Sequence, residues 1–406
     1  FRDDARKERA ALPRKFLSAS ALVLASGFVV LFIGGGTRFA VGLTLKPIVD
    51  EFGWPRAALG EAVAVFQLVS AVAMFFAGRL ADRASPRLVL TLGLVVSGIG
   101  IGLMGFALAP WHAVLLYGLI YGLGNGAASL IPVGVMVTRA FPVRTGFVNA
   151  VVTSGMSVGQ LVMIAGLAAL LAALHWRSLF VGLGVAHLAL APLIFAALPK
   201  QDVSDARASQ PAQGMALSEA AGAGRFWLLL AIYAICGFDD FFVATHVVAF
   251  AQDRGVDALV AGNLLALMGL TGLIGVVAGG WLSDRGGPAF PTALSFALRV
   301  AVFGLVMVDQ SPASVAIFAL VFGATFLVTA PLTVVFVTQF FGARHLGALT
   351  GFVTMVHQIF GGLGAWLGAA IFDATGGYDR AFGAMLAVSA VALLLSLILL
   401  RDRPRN

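Results

Sequence analysis

The sequence predicts an all-α membrane protein of twelve transmembrane helices in two pseudo-symmetric six-helix bundles. Three observations carry that prediction. Of 406 residues, 60% are hydrophobic and only 11% are charged, where a soluble domain carries about 25% charged residues. Twelve apolar runs reach the ~20 residues a helix needs to cross a bilayer. A short polar motif recurs about 200 residues along the chain, the mark of an internal repeat. The same composition excludes a soluble enzyme with an ordinary surface, and it excludes a disordered chain. A single cysteine, Cys236, excludes a disulfide framework and any multi-cysteine metal cluster.

The elements follow in order. Residues 1–16 form a charged tail, too polar for a cleavable leader. Residues 17–198 hold the first bundle, with spans at about 17–45, 57–80, 88–109, 112–138, 145–173 and 178–198. Residues 199–224 are the longest polar connection and separate six spans from six, so they read as the linker. Residues 225–400 hold the second bundle, with spans at about 226–250, 258–282, 289–308, 313–338, 346–371 and 381–400. Residues 401–406 are a second tail.

Charge sets the orientation. If both termini are cytoplasmic, nineteen Lys and Arg fall on the inner side and five on the outer side, with Arg38 and Arg299 inside spans. That bias obeys the positive-inside rule and predicts cytoplasmic termini. The net charge of +7 is therefore topological. It is dispersed over short connections and forms no stripe for nucleic acid. Lys46 and Asp309, at outer helix ends, read as solvated charges.

Two motifs support a duplication. Gly78-Arg79-Leu80-Ala81-Asp82-Arg83 follows the second span, and Gly280-Trp281-Leu282-Ser283-Asp284-Arg285 follows the eighth. Phe141 to Arg144 and Phe341 to Arg344 also match in place. Repeats of this kind enclose a substrate site near mid-membrane and rock about it. Asp82, beside Arg83, can accept hydrogen bonds from a neighbouring helix N-terminus or pair with an Arg across the gap between halves. Such a contact gates one face, and Asp284 and Arg285 repeat the unit.

Ionised groups inside spans are costly, about 2.5–3.5 kcal/mol each at the bilayer centre on insertion scales, so each needs a partner or a wet cavity. Arg38 follows Gly34, Gly35 and Gly36 and suits a bidentate clamp on a carboxylate. Asp239 and Asp240 are adjacent near the middle of the seventh span. Both cannot stay ionised cheaply, so a proton is expected on the pair. His246 lies two turns along the same helical face, about 10 Å away, and completes a proton-coupling set. Arg299 in the ninth span is the ion-pair candidate for those acids, with substrate contact as the other reading. His357 lies mid-span in the eleventh helix, a second candidate ligand. Tyr117, Tyr121 and Asn125 form one stripe on the fourth span, and Gln67 lies two turns into the second. These uncharged groups either line a path or join helices.

With these residues in hand, the chain resembles the major facilitator superfamily, whose G-x-L-x-D-R loop is matched by Gly78 to Arg83. More closely it is similar to the bacterial monocarboxylate-porter-like branch. That likeness rests on Arg38 through Lys46-Pro47, Glu51 to Arg56, Thr245-His246, His357-Gln358, Gly364 to Trp366 and Phe372 to Tyr378. The resemblance implies the major facilitator fold, a gating role for Asp82, a substrate-facing cation at Arg38 and a cavity-lining place for His357. It also implies that the ninth helix is peripheral.

No phosphate-binding loop for ATP and no zinc motif occurs in the sequence, and no cofactor is called for. The expected activity is proton-coupled symport of a small organic anion, a monocarboxylate, by alternating access across the bacterial inner membrane. The expected partners are the anion, protons and lipid, and the expected unit is a monomer. The proton sits on Asp239/Asp240 or His246; the carboxylate sits on Arg38, with His357, Tyr121, Asn125, Gln67 and Arg299 as further candidates. The alternatives are proton-driven efflux of a hydrophobic or cationic compound, and uncoupled anion exchange.

Overall fold

The computed structural model describes residues 14–83, 85–141, 145–198, 214–342 and 345–401. Twelve helices in these residues are long and apolar enough to cross a membrane. We number them α1 (Ser20–Phe52), α2 (Arg56–Gly78), α3 (Pro86–Phe106), α4 (Pro110–Val137), α5 (Val151–Leu171) and α6 (Trp176–Ala197) in the first half. The second half has α7 (Gly224–Asp253), α8 (Ala258–Gly286), α9 (Ala289–Val308), α10 (Pro312–Phe341), α11 (Ala348–Thr375) and α12 (Asp379–Arg401). An even number of crossings returns the chain to the face on which it began. That face is called here the termini face, and the opposite one the far face.

The duplication is visible in the packing. Within the first half α1 packs on α5, α2 on α4 and α3 on α6; within the second, α7 packs on α11, α8 on α10 and α9 on α12. Each pair maps onto its counterpart six helices later. Between halves α2 packs on α11 and α5 on α8, two contacts that exchange under the same operation.

The helices most involved in the centre are interrupted. The helical segment that begins α1 ends at Thr37 and the next begins at Ala40, with Phe39 at φ −96° and ψ 0°, the sparsely allowed bridge region. α4 carries a π-helical stretch over Val114–Tyr121, a feature common at functional sites. It is then interrupted between Ala127 and Leu130, as α10 is between Phe326 and Thr329. The cause is common to both. Pro132 and Pro331 have no N–H for the carbonyls of Ala128 and Leu327 four residues earlier. Those two residues take similar backbone angles, φ −97° and ψ 30° against φ −105° and ψ 1°.

Candidate functional site

Three groups of polar residues stand out, two of them where the halves meet. The first surrounds Arg38. At the break in α1 the Tyr117 hydroxyl donates to the Arg38 carbonyl (2.6 Å), which fixes the unwound turn. The guanidinium lies between two rings, 4.8 Å from the centroid of Phe39 and 5.2 Å from that of Phe241 on α7. Its Nε has no hydrogen-bond partner, and among the described residues no carboxylate lies within ion-pair distance of it. It borders a narrow cavity of about 10 Å³, room for roughly one water. Phe66, Gln67, Tyr117, Phe241 and Thr245 share that cavity.

The second group lies inside the second half, beyond the Phe241 ring. Arg299 reaches in from α9, completely buried, and pairs with Asp240 at 2.7 Å and Asp239 at 3.8 Å. Its remaining donors go to the Thr325 hydroxyl (3.0 Å), the Thr325 carbonyl (3.1 Å) and the Cys236 carbonyl (3.3 Å). His357 Nε2 meets Asp240 Oδ2 at 3.2 Å, and the Ser389 hydroxyl donates to Asp239 Oδ2 at 2.6 Å. The other Asp239 oxygen is buried without a hydrogen-bond partner. Two carboxylates face one guanidinium, so the cluster is neutral only with one more proton, on a carboxyl or on His357. Cys236, Asp240 and His357 also offer ligand atoms within 4.8 Å of one another, but Arg299 on the same carboxylate opposes a cation there.

The third group seals the far face. Arg56, at the start of α2, pairs with Asp253 at the end of α7 (2.8 Å) and donates to the Tyr378 hydroxyl (2.7 Å). Its guanidinium stacks 3.7 Å over the Phe372 ring. Both oxygens of Asp373, on α11, accept the backbone N–H groups of Arg56 (3.0 Å) and Ala57 (2.7 Å). One half thus caps the other half's helix N-terminus. α11 ends beside this contact because Gly376 takes φ 73°, a left-handed turn that suits glycine. Lys46 adds a contact to Asp253 at 3.3 Å. Below them His246 Nε2 donates to the Ala365 carbonyl (2.8 Å), so Nδ1 accepts from the Tyr378 hydroxyl (3.0 Å).

Depth separates these contacts. The deepest hydrogen bonds between halves join Gln67 to Gln358 (3.4 Å) and Gln160 to the Leu265 carbonyl (3.1 Å). Gln67 and Gln160 are each eleven residues from the far-face end of their spans, about 16 Å at the helical rise.

Several expected groupings are corrected. His246 does not join Asp239 and Asp240. It shares their helical face two turns on, but at that depth its neighbours are Tyr378 and Ala365, and both ring nitrogens are engaged there. Arg299 lines no cavity with Arg38, because its donors are taken up inside the second half. Tyr121 is buried in a ring stack with Phe66 (5.3 Å) and Tyr117 (5.3 Å). Asn125 donates to the Tyr121 hydroxyl at 3.3 Å, so both brace Tyr117 from behind. His357 faces Asp240 with Phe241 against its ring (6.1 Å), instead of clamping across from Arg38. Gln67 does line the cavity.

Asp284 and Arg285 are exposed, with Arg285 over the Trp281 ring of its own helix. The side chains of Asp82 and Arg83 lie outside the described residues. Lys46 is part of the far-face contact. Asp309 ties down the turn before α10: the Ser314 hydroxyl, with the N–H and hydroxyl of Ser311, holds its carboxyl below the usual range. Sequence reasoning missed Arg56, Asp253, Asp373, Tyr378 and Phe241. Most of the missed far-face residues belong to the stretches Glu51 to Arg56 and Phe372 to Tyr378 that carry the resemblance, and the fold brings those stretches together.

Comparison with known proteins agrees with the architecture. A family model described as Major Facilitator Superfamily matches residues 27–364 and 229–406. The MFS-type transporter YcxA of Bacillus subtilis is 24% identical over 277 residues, 63% of this chain and 65% of that protein. A gallate transporter of Pseudomonas putida is 23% identical over 348 residues, 73% of this chain and 74% of that protein. Human monocarboxylate transporter 11 is 25% identical over 295 residues, 72% of this chain and 62% of that protein. The matched stretch thus spans about two thirds of the length of these relatives. Among solved structures, a bacterial homologue of the human lysosomal transporter Spinster, inward-facing and unoccupied, superposes with a TM-score of 0.78. It is 16% identical and covers 96% of this chain and 98% of that one.

Proposed function

The chain belongs to the Major Facilitator Superfamily, and within it we propose a proton-coupled carrier of a small organic anion, a monocarboxylate, in the bacterial inner membrane. The observation that carries this reading is Arg38: a guanidinium at a helix break, at mid-depth, bordering a cavity and lacking an ion-pair partner among the described residues. A cation held there is stabilised by an anion from outside. It also repels a cationic cargo, which weighs against the efflux alternative. The relatives named for gallate and for monocarboxylates support an acid as cargo.

The proton belongs to the Asp239/Asp240/His357 cluster. Protonated, that cluster is neutral with Arg299; a carboxylate on Arg38 neutralises the other charge. Loading both leaves no net charge on the two groups, the condition under which reorientation through a closed core is least costly. The termini face is cytoplasmic on this reading. The Arg56 contact is then the periplasmic gate, which breaks when the site opens outward, and Asp82, Arg83, Asp284 and Arg285 form the cytoplasmic one. A monomer suffices for this cycle, since both halves lie in one chain.

Proteoliposomes holding a pH-sensitive dye test the proposal. An inward monocarboxylate gradient is expected to acidify the lumen in step with uptake, and Arg38→Ala to abolish both. Uptake without any pH change removes the proton coupling; transport that survives in Arg38→Ala removes the anion site.

A further inference from the structure

We infer that the Arg38 cavity selects a monocarboxylate with an aromatic, sparsely hydroxylated body, over sugar acids and dicarboxylates. The inference rests on the anion-binding reading of Arg38 and adds what lies beyond the carboxylate. Among the residues lining the cavity there is one cation, Arg38, so a second carboxylate on the same substrate finds no counter-charge. The Tyr117 hydroxyl proton is already committed to the Arg38 carbonyl, leaving its oxygen only an acceptor. One Gln67 amide N–H is committed to Gln358, and Gln67 Oε1 is buried with no partner and can accept. Thr245 supplies one hydroxyl.

The rest of the wall is apolar, with the rings of Phe39, Phe66, Tyr117 and Phe241 prominent in it. Phe66 and Tyr117 lie 4.9 Å apart, centroid to centroid, and Phe39 and Phe241 flank the guanidinium from opposite halves. A polyhydroxylated chain carries several hydroxyls into a place with few groups to receive them, and buried polar groups without partners are strongly disfavoured. An aromatic body instead meets rings at stacking and edge distances. Gln67 Oε1 leaves room for a single hydroxyl donor on that body.

The test compares four probes on the reconstituted full chain: benzoate, phenylacetate, gluconate and succinate, each read by lumen acidification and by competition against labelled benzoate. Benzoate and phenylacetate are expected to outcompete gluconate and succinate by about tenfold or more. Phe66→Leu and Phe241→Leu, which keep apolar bulk and remove the ring, are expected to weaken the two aromatic acids and leave the aliphatic order unchanged. The wild-type ranking needs no variant, so a variant that fails to fold leaves the test intact. Gluconate or succinate binding as tightly as benzoate overturns the inference, while loss of that binding in Arg38→Ala leaves the anion site standing. Acid binding that is indifferent to Arg38→Ala overturns both together.

Discussion

Asp239 and Asp240 are neighbours in sequence with different burdens. Asp240 takes the close contact with Arg299 and also receives His357. Asp239 holds a hydrogen bond from Ser389 and lies farther from the guanidinium, at 3.8 Å. Removing the charge of Asp240 leaves a fully buried guanidinium with only the longer 3.8 Å contact to Asp239, and breaking a buried ion pair typically costs about 3–5 kcal/mol. Asp240→Asn is therefore expected to lower the melting temperature in detergent sharply. Asp239→Asn, which imitates the protonated acid, should lower it little. The double variant Asp240→Asn/Arg299→Gln should recover much of the stability and still move no protons in the liposome assay. Equal melting losses for the two single variants refute the assignment of Asp240 as the principal partner. The adjacency of the acids was legible in the sequence, and so was Arg299 as a counter-ion. Their unequal roles were not, because they depend on Thr325 and Ser389, which are remote in sequence and reach the cluster from α10 and α12.

The twelve spans were legible at the scale of elements, since an apolar run of this length in a chain with few charges has few other uses. The interruptions were harder to see. Pro132 and Pro331 lie at the same place in their repeats, and each removes a donor just after the helix has broken. Arg38 and Phe39 break α1 with no proline at hand; there the Tyr117 hydroxyl satisfies the exposed carbonyl. The stripe of Tyr117, Tyr121 and Asn125 holds together as a brace behind the cavity, with Tyr117 alone at its wall. If the breaks in α4 and α10 serve as hinges, restoring their hydrogen bonds stiffens the carrier. Pro132→Ala and Pro331→Ala are each expected to leave melting unchanged or raised, and to slow turnover with little effect on binding of labelled acid. Faster transport in either variant contradicts a hinge role.

At the scale of the whole molecule, the closed far face follows from where interfacial charges find partners. Arg56 binds residues 197, 317 and 322 positions away, and no periodicity along one helix reports such pairings. That is why Arg56 and Lys46 read as ordinary outer charges until the halves are assembled. Closure also depends on close backbone approach. A Cβ on Gly42 in α1 would collide with the Ala244 carbonyl of α7, so this crossing tolerates no side chain while the face is shut. The Arg56 contact and the Gly42 crossing are both available only when the far face is closed, so weakening either shifts the population toward the opposite arrangement. A thiol placed at Thr245, on the cavity wall, reports that shift. In the otherwise unaltered chain an impermeant maleimide applied from the far face is expected to label Thr245→Cys slowly. Adding Arg56→Ala, or Gly42→Leu, should speed labelling several-fold, and the charge exchange Arg56→Asp/Asp253→Arg should bring the rate back toward its starting value. Labelling that ignores all three changes means the far-face contacts do not set the balance between the two arrangements.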